Sequence, residues 1–96
     1  MIIKGFIWLT DIADKIEAKH GVEISEAEYI FIRNPIFNRI NRGHVKGEDV
    51  YRVLGQTDSG RYLTVFFIYK ETHEALVISA RDMTTKERKL YAKRKR

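Results

Sequence analysis

From Asp49 onward, apolar and polar side chains alternate with the period of two that is typical of half-buried β-strands. Asp58-Ser59-Gly60 and Lys70–His73 interrupt the alternation with residues that favour tight turns, so both predict hairpin loops. Ile36–Asn41 has the same period and predicts one more strand, followed by a loop over residues 42–48. The pattern therefore predicts a four-stranded antiparallel meander whose second strand is Asp49–Thr57.

The segment before the meander begins with a short apolar run. Ile2–Leu9 is apolar on both faces and predicts a covered first strand. Thr10 or Asp11 is expected to cap a helix after it, and Gly21 to end that helix in the left-handed conformation.

Two further helices are expected from their entry signals. Ser25–Arg33 has capping-box residues at Ser25 and Glu28 and ends before Pro35. Thr84 and Glu87 have the same spacing, which predicts a C-terminal helix from Thr84 to about residue 94. The chain is thus expected to form a single α+β domain over residues 1–96, with an N-terminal strand, two helices, the meander and a C-terminal helix.

The composition restricts the classes of function. The chain has 96 residues, 44% of them hydrophobic, and lacks cysteine, so we expect neither a disulfide framework nor a thiolate metal site. Three scattered histidines make a metal site improbable, and no cofactor is expected. The apolar opening spans only nine residues before acidic ones follow, so it predicts neither a signal peptide nor a membrane span. We expect a cytoplasmic protein.

Positive charge is concentrated at the C-terminal end. Of the net charge of +5, residues 84–96 contribute seven Lys and Arg against one Glu, whereas the preceding residues hold eleven basic and twelve acidic side chains. Such a run attracts phosphate backbones or acidic proteins, although a solvated helix end has the same composition.

The turns set an expected register for the meander. If Thr57 lies opposite Arg61 and Tyr69 opposite Glu74, one face is nearly all apolar and forms the core side. Its expected members are Tyr51, Val53, Gly55, Leu63, Val65, Phe67, Leu76, Ile78 and Ala80, joined by Ile36 and Ile40. Arg61 falls on this side near Asp82, which predicts a structural ion pair at the sheet edge.

The opposite face mixes apolar residues with three arginines and a tyrosine. Arg81 is expected across from Tyr62, and Arg39 across from Arg52. Guanidinium groups bind phosphate and aromatic rings stack on bases, so this face is a candidate site for a phosphate group with bases stacked beside it. An ordinary solvent-exposed face and a face covered by a partner protein are the alternatives.

Three segments of the chain carry a resemblance to a known family. They are Lys19-His20-Gly21-Val22, Tyr51-x-Val53-Leu54-Gly55-x-Thr57-x-x-Gly60-Arg61-Tyr62-Leu63-x-Val65, and Ile78-Ser79-Ala80-Arg81-Asp82-Met83-Thr84-x-x-Glu87-Arg88-x-x-Tyr91. Together they resemble the BrnT family of toxin proteins. The resemblance implies a RelE-like ribonuclease fold and metal-independent RNA cleavage that inhibits translation. It also implies a cognate antitoxin that covers the toxin and binds operator DNA through another domain.

Cleavage of this kind proceeds by attack of the RNA 2′-hydroxyl on the adjacent phosphate, which requires a base, an acid and cations. Arg52 and Arg81 are the candidate phosphate-binding residues. His44 is the first candidate for proton transfer because imidazole titrates near neutral pH, and His20 and Tyr62 are further candidates. For His20, a role in capping the end of its helix or at the edge of the core is the favoured alternative.

Further basic side chains are candidates for RNA contact. They are Arg39 at the margin of the arginine face, Lys19, and Lys86 and Lys89 on the terminal helix, which is also a candidate for contacting the ribosome. A non-catalytic RNA-binding or antitoxin-binding module of the same fold is the main alternative. Direct DNA binding by the terminal helix is a weaker one, because few apolar residues besides Leu90 and Tyr91 anchor that helix.

Overall fold

A mixed five-stranded sheet with helices on both faces forms the protein, which this computed structural model describes over residues 1–43 and 48–94. The elements are β1 (Gly5–Ile7), α1 (Thr10–His20), α2 (Ile24–Tyr29), β2 (Ile36–Asn41), β3 (Val50–Gln56), β4 (Tyr62–Tyr69), β5 (Glu74–Asp82) and α3 (Thr85–Arg94). The α+β class is therefore confirmed.

The strand order is β1-β5-β4-β3-β2. Strands β2 to β5 pair consecutively and antiparallel, whereas β1 pairs parallel with β5. The sheet thus has five strands and is mixed, and the expected meander describes only part of it. The first strand is also shorter than the predicted Ile2–Leu9, because ladder pairing with β5 extends over three residues.

Helices α1 and α2 cover one face of the sheet and enclose the larger core. Ile16 and Ile30 pack there against Val53, Val65 and Phe67, all of which are buried. The backbone of Ile30 approaches β3 so closely that a Cβ at position 55 would lie 2.6 Å from the Ile30 Cβ. Gly55 is therefore needed to seat the end of α2 on the sheet.

The helix ends agree in part with the sequence. Gly21 closes α1 in the left-handed conformation, with φ of 63°, as predicted. Neither expected residue caps its start, because Leu9 occupies the N-cap position without a side-chain bond. In α2 the capping box is formed by Glu23 and Glu26, so the predicted start at Ser25 is wrong. Glu28 instead accepts a hydrogen bond from the Trp8 indole at 2.7 Å.

The predicted register of β2 is wrong by one residue. Asn38, and not Arg39, lies opposite Arg52, and a bulge separates Arg39 from Asn41. Ile36 is buried on the face opposite the larger core, and Ile40 is 44% exposed. Next to the loop, Asn41 pairs with Val50 as the predicted register requires, so the shift of the preceding residues of β2 arises at the bulge.

A different pairing at the β4–β5 turn overturns a second part of the predicted faces. Tyr69 pairs with Ala75 instead of the predicted Glu74, so Val77 is fully buried and Ile78, expected in the core, is exposed. Further along, Phe66 pairs with Ser79 but Phe67 pairs with Val77, so a bulge adds a second shift of one residue. The two shifts together place Arg81 opposite Thr64 instead of opposite Tyr62, and they leave it on the predicted face.

Helix α3 packs on the second face of the sheet. Its entry is the predicted capping box, in which the Thr84 amide donates to Glu87 Oε1 at 2.8 Å and the Glu87 amide donates to Thr84 Oγ1 at 3.1 Å. Tyr91 packs with Leu54 and Ile36 in a smaller core. The arginine-bearing face is therefore covered in part by α3.

Candidate nucleic-acid interface

A buried carboxylate, Glu87, joins the two arginines that the sequence selects. Arg81 binds it through both terminal nitrogens, at 2.7 Å to Oε1 and 3.0 Å to Oε2. Arg52 Nη1 donates to Oε2 at 3.3 Å, and the buried Thr64 hydroxyl donates to Oε1 at 2.9 Å. We call these four residues, Arg52, Thr64, Arg81 and Glu87, the Glu87 cluster.

The chain brings the cluster together by simple periodicity. Thr64 lies directly opposite Arg81 in the β4–β5 ladder, and Arg52 lies opposite Phe66, one pleat further along β4. Because side chains alternate across a strand, these residues share one face. Glu87 reaches them from the first turn of α3, where a carboxylate is also favoured by the helix dipole.

The surroundings of Glu87 change its acidity. Burial alone would raise the pKa of the carboxyl, but hydrogen bonds from Arg81, the Thr84 amide and the Thr64 hydroxyl, with the Arg81 charge, outweigh it and lower the pKa to about 2. The same pairing raises the pKa of Arg81. Glu87 is therefore ionised at neutral pH and is a weak proton acceptor.

Both arginines retain donor groups beyond those that Glu87 occupies. A guanidinium has five N–H groups. Toward described residues, Arg52 uses two, to Asn38 Oδ1 and Glu87, and Arg81 uses three, to Glu87 and the Asp82 carbonyl. Their side chains are 23% and 30% exposed, so the remaining donors are accessible to a phosphate group.

Arg81 is held in addition by an aromatic ring. Its guanidinium carbon lies 5.2 Å from the centre of the Phe66 ring, within the range of a cation–π contact. The bidentate pair with Glu87 and this contact fix the plane of the Arg81 side chain on the sheet.

The other predicted site residues are separated from the cluster. Arg39 lies opposite Tyr51 and forms a 3.7 Å ion pair with Asp49, so it does not join Arg52. His20 and the exposed Lys19 end α1, which packs on the opposite face of the sheet. The prediction that placed Arg39 across from Arg52 is corrected by the register of β2.

His44, the first candidate for proton transfer, lies outside the described residues. The structure therefore neither supports nor opposes its predicted role.

Tyr62 lies beside the cluster, at the wall of a cleft between α3 and the β3–β4 hairpin. The cleft has a volume of about 660 Å³. It is lined chiefly by two aromatic, two cationic and two amide side chains, namely Tyr62, Tyr91, Arg88, Lys89, Asn34 and Gln56. We call it the α3 cleft. Lys86, in contrast, is exposed on α3 and does not line it.

Sequence reasoning missed Glu87 as a member of the site, and missed Arg88 as well. A signal for Glu87 was present, since Glu87 and the apolar Tyr91 are four residues apart and lie on one helix face. If Tyr91 anchors α3 on the sheet, Glu87 must face the sheet too. Arg88 carried no comparable signal, because a basic residue in a basic helix is ordinary.

The described residues contain neither a cluster of metal-binding side chains nor a helix that could cross a membrane. No group of three or more His, Asp or Glu side chains in residues 1–43 and 48–94 is arranged to hold a metal ion. Among the helices described, none has the length and apolar character needed to cross a membrane.

The fold and the paired arginines beside a basic, aromatic cleft define a small α+β domain with the groups that bind a phosphate backbone. A family model described as the ribonuclease toxin BrnT of type II toxin-antitoxin systems matches residues 8–87. The chain belongs to this BrnT family, as the sequence resemblance indicated.

The fold comparison agrees with the family. The structure is similar to the 1.1 Å crystal structure of the Brucella abortus ribonuclease toxin BrnT, with a TM-score of 0.61 and 18% sequence identity. The match covers 84% of this chain and 97% of that chain. At this identity the likeness concerns the fold. No curated protein gives a significant match.

Proposed function

We propose that this protein is the metal-independent endoribonuclease toxin of a type II toxin-antitoxin module. The observation that carries the proposal is the pair of Arg52 and Arg81, which Glu87 fixes side by side while N–H donors of both remain unused toward the described residues. In a member of a ribonuclease toxin family, such a pair is suited to hold the phosphate that is cleaved.

In the proposed reaction the RNA 2′-hydroxyl attacks the adjacent phosphate and the 5′-oxygen leaves. Arg52 and Arg81 bind the non-bridging oxygens and stabilise the negative charge that develops on them. Glu87 acts as a positioning residue, because a carboxyl with a pKa of about 2 is too weak a base to accept the 2′-proton efficiently at neutral pH. We assign proton transfer to His44, with Tyr62 and His20 as the remaining candidates.

The biological setting is part of the same proposal. A single RelE-like domain cleaves RNA in the cytoplasm, free or on the ribosome, and thereby inhibits translation. Lys86 and Lys89 on α3 contact the RNA or ribosomal backbone, whereas Lys19 and Arg39 contribute more distant positive charge. A cognate antitoxin neutralises the toxin, and DNA is contacted only through the antitoxin.

One observation favours the alternative of a non-catalytic RNA-binding or antitoxin-binding module. Glu87 already offsets one of the two arginine charges, and among the described residues no general base contacts the cluster. The alternative predicts RNA binding without cleavage.

Incubation of the purified protein with total RNA in excess EDTA tests the proposal. We expect cleavage by the wild type and a loss of about 100-fold in His44→Asn, which is in the range for removal of a general acid or base. His73→Asn is the matched control, since His73 lies in the β4–β5 loop and its imidazole hydrogen-bonds only to the Tyr69 hydroxyl among the described residues.

Expression without an antitoxin is the companion measurement, and it should arrest growth. A folded wild type that binds RNA but cleaves neither free nor ribosome-bound RNA would contradict the proposal and support the binding module. Cleavage that disappears with EDTA and returns with a divalent cation would contradict the metal-independent reaction.

A further inference from the structure

The α3 cleft contains a stacked cation whose charge no described carboxylate offsets. The Arg88 guanidinium carbon lies 3.7 Å from the centre of the Tyr62 ring, and no ion pair to Arg88 occurs in residues 1–43 and 48–94. Tyr62 is itself held edge-on by Tyr91, with ring centres 6.1 Å apart. The planar guanidinium of Arg88 and the ring of Tyr62 are therefore held together in the lining of the cleft.

The cleft also contains two amide side chains that can form hydrogen bonds with a ligand. Gln56 donates through Nε2 to the Gly60 carbonyl at 3.1 Å, which fixes its amide and leaves Oε1 as an acceptor without a described partner. Asn34, in the left-handed conformation with φ of 53°, adds a second amide to the lining of the cleft. Amide side chains pair with the hydrogen-bonding edges of nucleobases.

The position of the cleft connects it to the Glu87 cluster. Tyr62 and Thr64 are two residues apart on β4 and therefore point to the same face, about 7 Å from each other along the strand. Lys89, one helical position beyond Arg88, adds a further positive charge at the rim. A strand whose phosphate lies at Arg52 and Arg81 therefore has a neighbouring nucleotide within reach of the cleft.

We infer that the α3 cleft binds one unpaired nucleobase of single-stranded RNA, next to the phosphate that is cleaved. The base stacks against the Tyr62–Arg88 pair, Lys89 and Arg88 attract the flanking backbone, and the amides of Gln56 and Asn34 select the base edge. This inference rests on the proposed function for its RNA substrate, and it adds a specificity site that the cleavage chemistry does not require.

The test measures the affinity of the full chain for a short, fluorescein-labelled single-stranded RNA of mixed sequence, and for the same RNA with abasic positions. Removal of an aromatic or cationic stacking partner costs about tenfold or more in such sites. We expect Arg88→Ala to weaken binding of the intact RNA about tenfold. Arg94→Ala is the matched control, because Arg94 is an exposed arginine on the same helix outside the cleft, and it should weaken binding less than about threefold.

The abasic RNA distinguishes stacking from charge. The wild type should bind it about tenfold more weakly than the intact RNA, whereas Arg88→Ala should barely distinguish the two, since the stacking partner is already lost. Equal effects of Arg88→Ala and Arg94→Ala, or equal affinity of the wild type for both RNAs, would overturn the inference. Urea midpoints of all variants verify that each is folded.

Cleavage measured on the same samples separates the two proposals. If the wild type cleaves RNA and Arg88→Ala binds and cleaves as well as the wild type does, the base-binding role of the α3 cleft is contradicted. The proposed ribonuclease activity is supported by the same result. Base-dependent binding through Arg88 without any cleavage would support base binding in the α3 cleft and contradict the proposed ribonuclease activity.

Discussion

Two arginine clusters at the same end of the sheet differ in how completely their donors are used. Arg61 makes hydrogen bonds to Asp82 at 2.7 and 3.2 Å, to the carbonyls of Gly21 and His20 at 2.7 and 2.8 Å, and to Glu26 at 3.5 Å. These bonds engage all three guanidinium nitrogens and all five N–H groups. In the Glu87 cluster, by contrast, Arg52 and Arg81 leave donors unused toward described residues.

The contrast separates a structural arginine from a binding pair. Arg61 ties the C-terminal end of α1 and the start of α2 to the end of β5, so every donor stabilises the fold. Arg52 and Arg81 share one buried carboxylate, which holds them close together at a cost of mutual repulsion and keeps part of each guanidinium available. An arginine whose N–H donors are all used within the protein, such as Arg61, therefore has a structural role. Arginines that are held in place but have unused N–H donors, such as Arg52 and Arg81, are suited to bind an anion.

The largest expected effect on stability is that of Glu87→Gln. The folded pKa of about 2 lies below the ordinary value near 4.5, so the ionised carboxylate contributes stability that is complete above pH 4.5 and lost as the pH falls toward 2. The shift corresponds to about 3 kcal/mol, and urea denaturation at pH 7 should show a loss of that order in Glu87→Gln. The variant should also lose less stability than the wild type between pH 4.5 and 2.

Asp82→Asn is the control for that titration. Arg61 lowers the pKa of Asp82 as well, but the Asp82 side chain is 64% exposed, so its acid-dependent contribution should be much smaller. If Asp82→Asn reduces the acid dependence of stability more than Glu87→Gln does, the acid-dependent stability resides in the Arg61–Asp82 pair and not in the Glu87 cluster.

Arg61→Ala should destabilise the protein by about 2 kcal/mol, because two carbonyls at the end of α1 and two carboxylates lose their donor. This exceeds the 0–1 kcal/mol that is typical of an exposed ion pair. Thermal and urea unfolding measure the change, with the exposed Arg33→Ala as a surface control. A loss no larger than that of Arg33→Ala would show that Arg61 does not fasten α1 to the sheet.

Much of this comparison follows from the sequence. Alternation places Arg52, Thr64 and Arg81 on one face, the turn at Gly60 fixes the register of β3 and β4, and Thr84 with Glu87 marks the start of α3. The Arg61–Asp82 pair is confirmed as well.

The rest depends on features that local patterns do not encode. The bulge in β2 changes the faces of Ile36 and Ile40, because one inserted residue inverts every later assignment. In β5 the faces of Val77 and Ile78 are reversed because Tyr69 pairs with Ala75 at the turn and not with Glu74. The shared carboxylate of Glu87 arises only when α3 folds back onto the sheet, which is a tertiary contact.

Arg52→Lys tests whether cleavage needs the planar guanidinium of Arg52 or only its charge. Lysine retains the charge but lacks the planar fork, so it cannot bind Asn38, Glu87 and a phosphate together. We expect cleavage to fall about tenfold with a change in stability below about 1 kcal/mol. Steady-state cleavage and urea midpoints measure the two, and an unchanged cleavage rate would show that Arg52 acts through charge alone.

The smallest expected effect is that of Lys86→Ala, because Lys86 is an exposed residue of α3 outside the α3 cleft. Loss of one contact to the RNA phosphate backbone should weaken RNA binding less than about threefold. It should also reduce the slope of log K against log[salt] by about one. Titrations at several salt concentrations measure both, and an effect as large as that of Arg88→Ala would place the main RNA contact outside the α3 cleft.

The most direct test compares single-turnover RNA cleavage in EDTA by Arg52→Ala and Arg61→Ala, each expressed per folded molecule. We predict that Arg52→Ala remains folded and cleaves about 100-fold more slowly, which is in the range for loss of a charge-stabilising donor, whereas Arg61→Ala is less stable but cleaves at the wild-type rate while folded. Wild-type cleavage by Arg52→Ala, or an equal loss in folded Arg61→Ala, would contradict the assignment of Arg52 and Arg81 as the phosphate-binding pair.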